Sequence, residues 1–164
     1  MRRRFLLKLI GVGAVAALAG LITLRPLPAQ KAFNLKLGQD RCRRCGMIIS
    51  RLEYAAGMLL ADAPDWHYYD DIGCFAMDYA TFERNGKTVT DARVVDFKSR
   101  RPVDARAAYY VSADPKVLWT PMSYGFVASE RVEDARELAE RYGGKVVPFE
   151  GLLDWARKRV WAGG

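Results

Sequence analysis

The stretch AAGMLLADAP, Ala55 to Pro64, returns in altered form as AAYYVSADP, Ala107 to Pro115. Both open on Ala-Ala, continue through an apolar run and reach Ala-Asp shortly before a proline. Each reads as a strand stopped by a turn, since proline cannot extend the ladder and aspartate favours turns. A second short strand follows in both places, WHYY (Trp66 to Tyr69) and YGFVAS (Tyr124 to Ser129). A helix is predicted next each time. The first spans about Asp71 to Glu83, with Asp70 or Asp71 as capping carboxylate and Ile72, Phe75, Tyr79 and Phe82 at helical spacing. The second spans about Glu130 to Tyr142, capped by Ser129, with Val132, Ala135, Leu138 and Ala139 inward and Gly143-Gly144 as its stop. Closing strands ARVVDF (Ala92 to Phe97) and KVVPF (Lys145 to Phe149) complete the pattern. The order predicts an α+β fold of two ββαβ halves, 40–100 and 101–164, joined near Arg100 to Arg106. A last amphipathic helix, Leu152 to Trp161, covers apolar surface with Leu152, Leu153, Trp155 and Val160.

Upstream of the repeat the chain changes character. The formal charge is +7, but Arg2, Arg3, Arg4, Lys8 and Arg25 precede position 30 and no acidic residue does. Removing those five from 26 basic residues leaves 21 against 19 acidic ones, so the remainder is close to neutral. A nucleic-acid function thereby loses its main support. The basic start runs into an uncharged apolar stretch from Leu9 to Leu24, long for a signal core and slightly short for a membrane span. RRRFLL resembles a twin-arginine export signal, with Phe5-Leu6 at the expected offset; an ordinary export signal is the alternative. Residues 1–29 are therefore expected to export the domain or anchor it to the inner membrane, leaving it periplasmic or on the extracytoplasmic face. Residues 30–39 read as a linker. With Pro26 and Pro28 included, it would reach ~50 Å at ~3.3 Å per residue.

The segment DRCRRCGMII, Asp40 to Ile49, puts Cys42, Cys45 and Met47 within six positions, and the chain has one further cysteine, Cys74. Thiolate and thioether are soft donors and select Cu(I) over hard cations. Cys45 and Met47 would share one face of an extended backbone, a tight turn would bring Cys42 to Cys45, and Gly46 eases that turn. A structural zinc site commonly needs two ligand pairs. A second CxxC is missing, although His67 and Cys74 could complete a Cys3His set. A redox CxxC normally opens a helix, whereas GMIIS reads as strand. Spacing alone leaves copper, zinc and redox roles open, with Met47 tipping towards copper. Cys74 is most simply a small buried hydrophobe, and His67 a half-exposed strand residue. Asp70-Asp71 reads as a helix cap rather than an acid–base pair. One histidine, no Ser-His-Asp set and no phosphate-cradling glycine loop argue against an enzyme.

DRCRRCGMII, YYDDIGCFAMDY, VVDF, AAYYV, TPMSYGFVA and GGKVVPFEGLL, in this order, resemble the nitrous oxide reductase accessory protein (NosL) family. The likeness spans Asp40 to about Leu153. It implies an exported copper chaperone, with two ββαβ halves related to organomercurial lyase, that supplies Cu(I) for a copper-sulfide centre. A copper enzyme or its maturation transporter complex would be the partner. Carried over by motif, the Cys-Gly-Met element makes Cys45 and Met47 candidate ligands, with Cys42 matching the preceding cysteine. The Pro-Met element adds Met122, which otherwise reads as a gap-filling core-edge methionine. Many members of the family are lipoproteins, and no lipid-acceptor cysteine precedes Cys42 here.

Overall fold

The structure is a computed structural model that describes residues 31–162. The expected export segment lies outside the described residues. In chain order the elements are β1 (Ala56–Leu60), β2 (His67–Tyr69), α1 (Ile72–Arg84), β3 (Val89–Val95), β4 (Pro102–Asp104), β5 (Tyr109–Ser112), β6 (Phe126–Ser129), α2 (Val132–Tyr142), β7 (Lys145–Val147) and α3 (Phe149–Trp161).

The two halves repeat one topology. The first sheet has the order β2-β1-β3-β4 and the second β6-β5-β7, with every pairing antiparallel. In each, the first strand of the half is central, flanked by the second strand and by the strand that follows the helix. The α+β architecture of two ββαβ halves is thus the one the repeat predicts. One strand departs from it: β4 pairs with β3, so the first sheet continues to Asp104 instead of ending near position 100. Arg100, at φ 60°, lies in the turn that folds the chain back, closed by Arg100 N donating to Asp96 O at 2.9 Å. A hairpin partner this short carries too little apolar alternation to register as a strand in sequence.

Both halves share one core. Phe75 and Tyr79 of α1, Tyr110 of β5, Phe126 of β6 and Leu152 of α3 belong to a single buried cluster. Tyr79 and Phe149 meet edge to face at 5.2 Å, and Phe126 meets Trp155 at 4.7 Å. Each such ring contributes roughly 1.5–3 kcal/mol through burial. Helix α3 packs along α1, so the apolar surface expected beneath Leu152 and Leu153 is the helix of the other half.

Two buried aspartates fasten the halves. Asp96 accepts from Lys98 N and Ser99 N through one oxygen, and from Ser129 Oγ and Glu130 N through the other. Ser129 is therefore engaged with Asp96 and does not cap α2; Arg131 precedes that helix without a side-chain cap bond. Asp71 caps α1 through Gly73 N at 2.7 Å and also accepts from Thr120 Oγ1 at 2.6 Å and Met122 N at 2.9 Å.

The described part of the linker is not a free tether. Phe33 packs edge to face on Trp66 and Tyr68, each at 5.3 Å, and Trp66 Nε1 donates to Lys31 O at 3.1 Å. An aromatic in a polar stretch found a surface to bury against, which a reading of linker composition overlooks.

Candidate metal centre

Residues 40–49 form a tight hairpin. Ile49 N donates to Asp40 O at 2.9 Å and Cys42 N to Met47 O at 2.8 Å, with Arg41 and Ile48 bridged antiparallel. At the tip Gly46 N closes on Cys42 O at 2.9 Å, and Gly46 adopts φ +78°, a conformation side chains resist. The backbone from Cys45 to Met47 is consequently turned, not extended as alternation predicts. Ile49, fully buried, anchors the base. The tip is tied to the first half by Arg43 N donating to Tyr68 O at 2.9 Å, and by an Arg44–Asp78 ion pair at 2.7 Å.

This folding sends Cys42 inward, where it is 2 % exposed, while Cys45 stays half-buried. Opposite stands the first turn of α1, whose third residue is Cys74. The donor atoms of Cys42, Cys45, Asp70 and Cys74 all lie within 4.8 Å of one another. Cys45 Sγ donates to Asp70 Oδ1 at 3.4 Å, and Asp70 Oδ2 is buried without any partner. None of the three thiols is in a disulfide.

The cluster concentrates negative charge on one sulfur. Cys42 is pulled down to about 4, first by a hydrogen bond from the Cys74 thiol, with help from the Cys45 and Asp70 amides against the cost of burial. Cys74 moves the opposite way because it donates to that thiolate and is itself buried. The two cysteines share one proton, which leaves a thiolate at Cys42 steadied by the neighbouring Cys74 S–H. Burial, then the adjacent Cys42 charge, pushes Asp70 up to about 6. Burial likewise lifts Cys45 to about 12. A cation entering here would displace thiol protons and satisfy the orphan carboxylate oxygen. Three sulfurs and one oxygen form a soft-biased donor set.

The other sequence candidates are placed unevenly. Met47 is 46 % exposed on the outer side of the hairpin. Met122, half-buried, packs against the core cluster that holds Cys42 and Cys74, its backbone pinned by Asp71. Its neighbour Tyr124 lies so close over α1 that a Cβ on Gly73 would fall 2.3 Å from the ring. His67 is outside the four-donor group; it faces Phe82 at 5.7 Å, with Nδ1 buried and unpartnered. Burial and then the nearby Arg43 charge lower its pKa. Cys74, most simply a buried hydrophobe by sequence, is inside the group. Asp70 was not a candidate at all. The signal available was the paired Asp70-Asp71: one carboxylate caps, which leaves the other free to face the thiols.

Fold and site together define a small two-sheet α+β protein with a buried thiol cluster suited to a thiophilic metal ion. The NosL family model matches residues 35–154, and the chain belongs to that family. A crystal structure of the copper chaperone NosL from Shewanella denitrificans has the same fold, with a TM-score of 0.58 at 18 % identity. The match covers 75 % of this chain and 96 % of that one. No curated protein matches the chain.

Proposed function

We propose that this protein is a Cu(I) chaperone that accepts the ion outside the cytoplasm and passes it to a copper enzyme. The observation that carries the reading is the meeting of three thiols and one carboxylate within 4.8 Å, beneath a hairpin that also bears Met47. Cu(I) favours few, soft ligands. Cys42 and Cys74 form the deep wall of the site, and Cys45 its accessible edge. Met47 on the hairpin and Met122 on the second-half loop are the thioethers that would complete or release the coordination. Transfer then proceeds by ligand exchange: an incoming sulfur bonds to Cu(I) as Cys45 or Met47 leaves, with no change in oxidation state. The ion is cargo, and no bond of a substrate is broken, so the protein acts as a carrier and not an enzyme. Family membership and the fold shared with the copper chaperone NosL from Shewanella denitrificans support copper as that cargo. The basic, apolar N-terminal sequence supports an extracytoplasmic location, with the membrane as its anchor. The sequence resemblance supports nitrous oxide reductase, or its maturation transporter complex, as recipient.

The test is titration of the reduced full chain in non-ionic detergent with Cu(I) against a chromophoric chelator. One equivalent is expected to bind tightly. Replacing Cys45→Ser and Met47→Leu together should weaken binding at least about a hundredfold, about 2.8 kcal/mol. Binding undiminished in that variant overturns the site assignment. The low pKa of Cys42 also fits a CxxC thiol–disulfide oxidoreductase, and reduction of a model disulfide would favour it. Against it stands accessibility: the thiolate is the buried cysteine, and the reachable Cys45 is held as a thiol.

A further inference from the structure

The hairpin that carries Cys45 has an outer face as well as an inner one. Within the hairpin, residues 40–49, the chain bears three arginines (Arg41, Arg43 and Arg44) against one acidic residue, Asp40. With the 21 basic and 19 acidic residues beyond position 30, the rest of the domain then has 18 against 18. The positive charge of the folded part is therefore concentrated on the metal-site hairpin. Arg44 is paired with Asp78, but among the described residues neither Arg41 nor Arg43 meets a carboxylate. Arg41 instead donates to Gly46 O at 3.0 Å, and the Arg43 guanidinium lies over the Phe82 ring at 5.5 Å. Both are exposed, and both are held in place at the tip. On the same hairpin Met47 (46 %) and Ile48 (46 %) are exposed apolar side chains, and Ile48 is bridged to Arg41.

We infer that this face is a docking surface for a protein partner whose own face has an apolar centre ringed by aspartate and glutamate. The inference rests on the copper-chaperone reading, since Cys45 is the cysteine of the cluster with exposed surface and a recipient must come to it. Charge complementarity selects the occupant. Exposed apolar side chains give contact, and the unpaired arginines repel a second copy of this chain while drawing an acidic one. Electrostatic complementarity acts chiefly on the encounter rate, so it should appear in the kinetics of hand-off rather than in copper affinity.

The probes are two synthetic Cys-x-x-Cys peptides of matched Cu(I) affinity, one flanked by glutamates and the other by lysines. Copper transfer from the Cu(I)-loaded full chain in non-ionic detergent is followed by stopped flow. At about 0.01 M ionic strength the Debye length is about 30 Å, and the glutamate peptide should receive copper at least about tenfold faster. At about 1 M, where screening acts within about 3 Å, the two rates should converge. Arg41→Glu with Arg43→Glu should reverse the preference, and the corresponding Gln pair should abolish it, with copper affinity unchanged within about twofold. Equal rates at low salt, or a preference that survives the charge reversal, overturn the inference. So does suppression of both transfers by anionic vesicles that the reversed variant escapes, which would make the face a membrane surface. A dimer that the reversal dissociates would overturn it as well. Failure of copper to bind the wild-type chain is a separate result and counts against the copper reading itself.

Discussion

Helices α1 and α2 hold the same place in their halves, yet their first turns meet different surroundings. Before α1 stands Asp71, fully buried and accepting from Gly73, Thr120 and Met122; before α2 stands exposed Arg131, with no cap bond. The second helical residue is Gly73 in one and exposed Glu133 in the other. The third is buried Cys74 in one and Asp134 in the other, where it pairs with Lys98 at 2.9 Å. The ββαβ frame fixes where a helix begins. What covers its first turn decides whether that turn becomes a site or a surface. In the first half the hairpin and the Thr120–Tyr124 loop close over it, and an internal pocket of thiols results.

The contrast is broken most severely at Asp71. Asp71→Ala leaves the Thr120 hydroxyl and two amides buried without an acceptor, and should cost about 3–5 kcal/mol in urea unfolding. Arg131→Ala, at the matching place, should cost less than about 0.5 kcal/mol. Similar losses from the two would mean that α1 and α2 are alike in their starts and that Asp71 is no clasp.

Gly73 sharpens the point with a smaller effect. An added methyl would meet Cβ, Cγ and Cδ2 of Tyr124 at 2.3–2.7 Å, all near the backbone end of the ring, where the side chain cannot simply swing away. Gly73→Ala should therefore destabilise by about 1–3 kcal/mol through overpacking. Glu133→Ala should change stability by about 0.5 kcal/mol, the worth of an acidic residue near a helix start. If Gly73→Ala is silent, the second-half loop yields easily and α1 is not tightly covered.

The same contrast explains what the sequence disclosed. Ala55–Pro64 and Ala107–Pro115, with the helical spacing of Ile72, Phe75 and Tyr79, carry the two-half topology because strand and helix periods are local properties. Gly143 likewise announces the end of α2, and it adopts the left-handed conformation there. Cys42, Cys45 and Met47 were visible as a cluster because they are neighbours in sequence. Cys74 is only a lesser candidate by sequence and Asp70 none, because their proximity to Cys42 is made by the hairpin folding onto α1, a contact between segments about thirty residues apart. Ser129 misled for a similar reason: its position suited a cap, but buried Asp96, from the other half, takes its hydroxyl. Phe33 was hidden inside a polar stretch whose composition said linker.

The smallest expected effect compares the two clasps as acids. Asp96 and Asp71 both join the halves, and burial raises the pKa of each, but the balance differs. At Asp96 the amides of Ser99 and Glu130 and the hydroxyls of Ser99 and Ser129 outweigh burial and hold the carboxyl below its ordinary value. At Asp71 burial prevails over Thr120, Met122 and Gly73 and holds it above. An unfolded aspartate titrates at about 3.9. Below that pH the unfolded chain binds more protons at position 96 than the folded one, so the stabilisation from Asp96 is complete above pH ~4 and lost as pH falls further. At position 71 the folded chain binds more protons, so stability from this group declines as pH rises above ~4. Asp96→Asn and Asp71→Asn each add a pH-independent offset, since an amide cannot accept at both oxygen positions. The informative quantity is how the difference from wild type varies with pH. Unfolding measured from about pH 3 to pH 7 should show the Asp96→Asn deficit growing as pH rises and the Asp71→Asn deficit shrinking. Slopes of the same sign would mean that the two clasps share one electrostatic environment, and that the wall of the metal-site half is no drier than the outer joint.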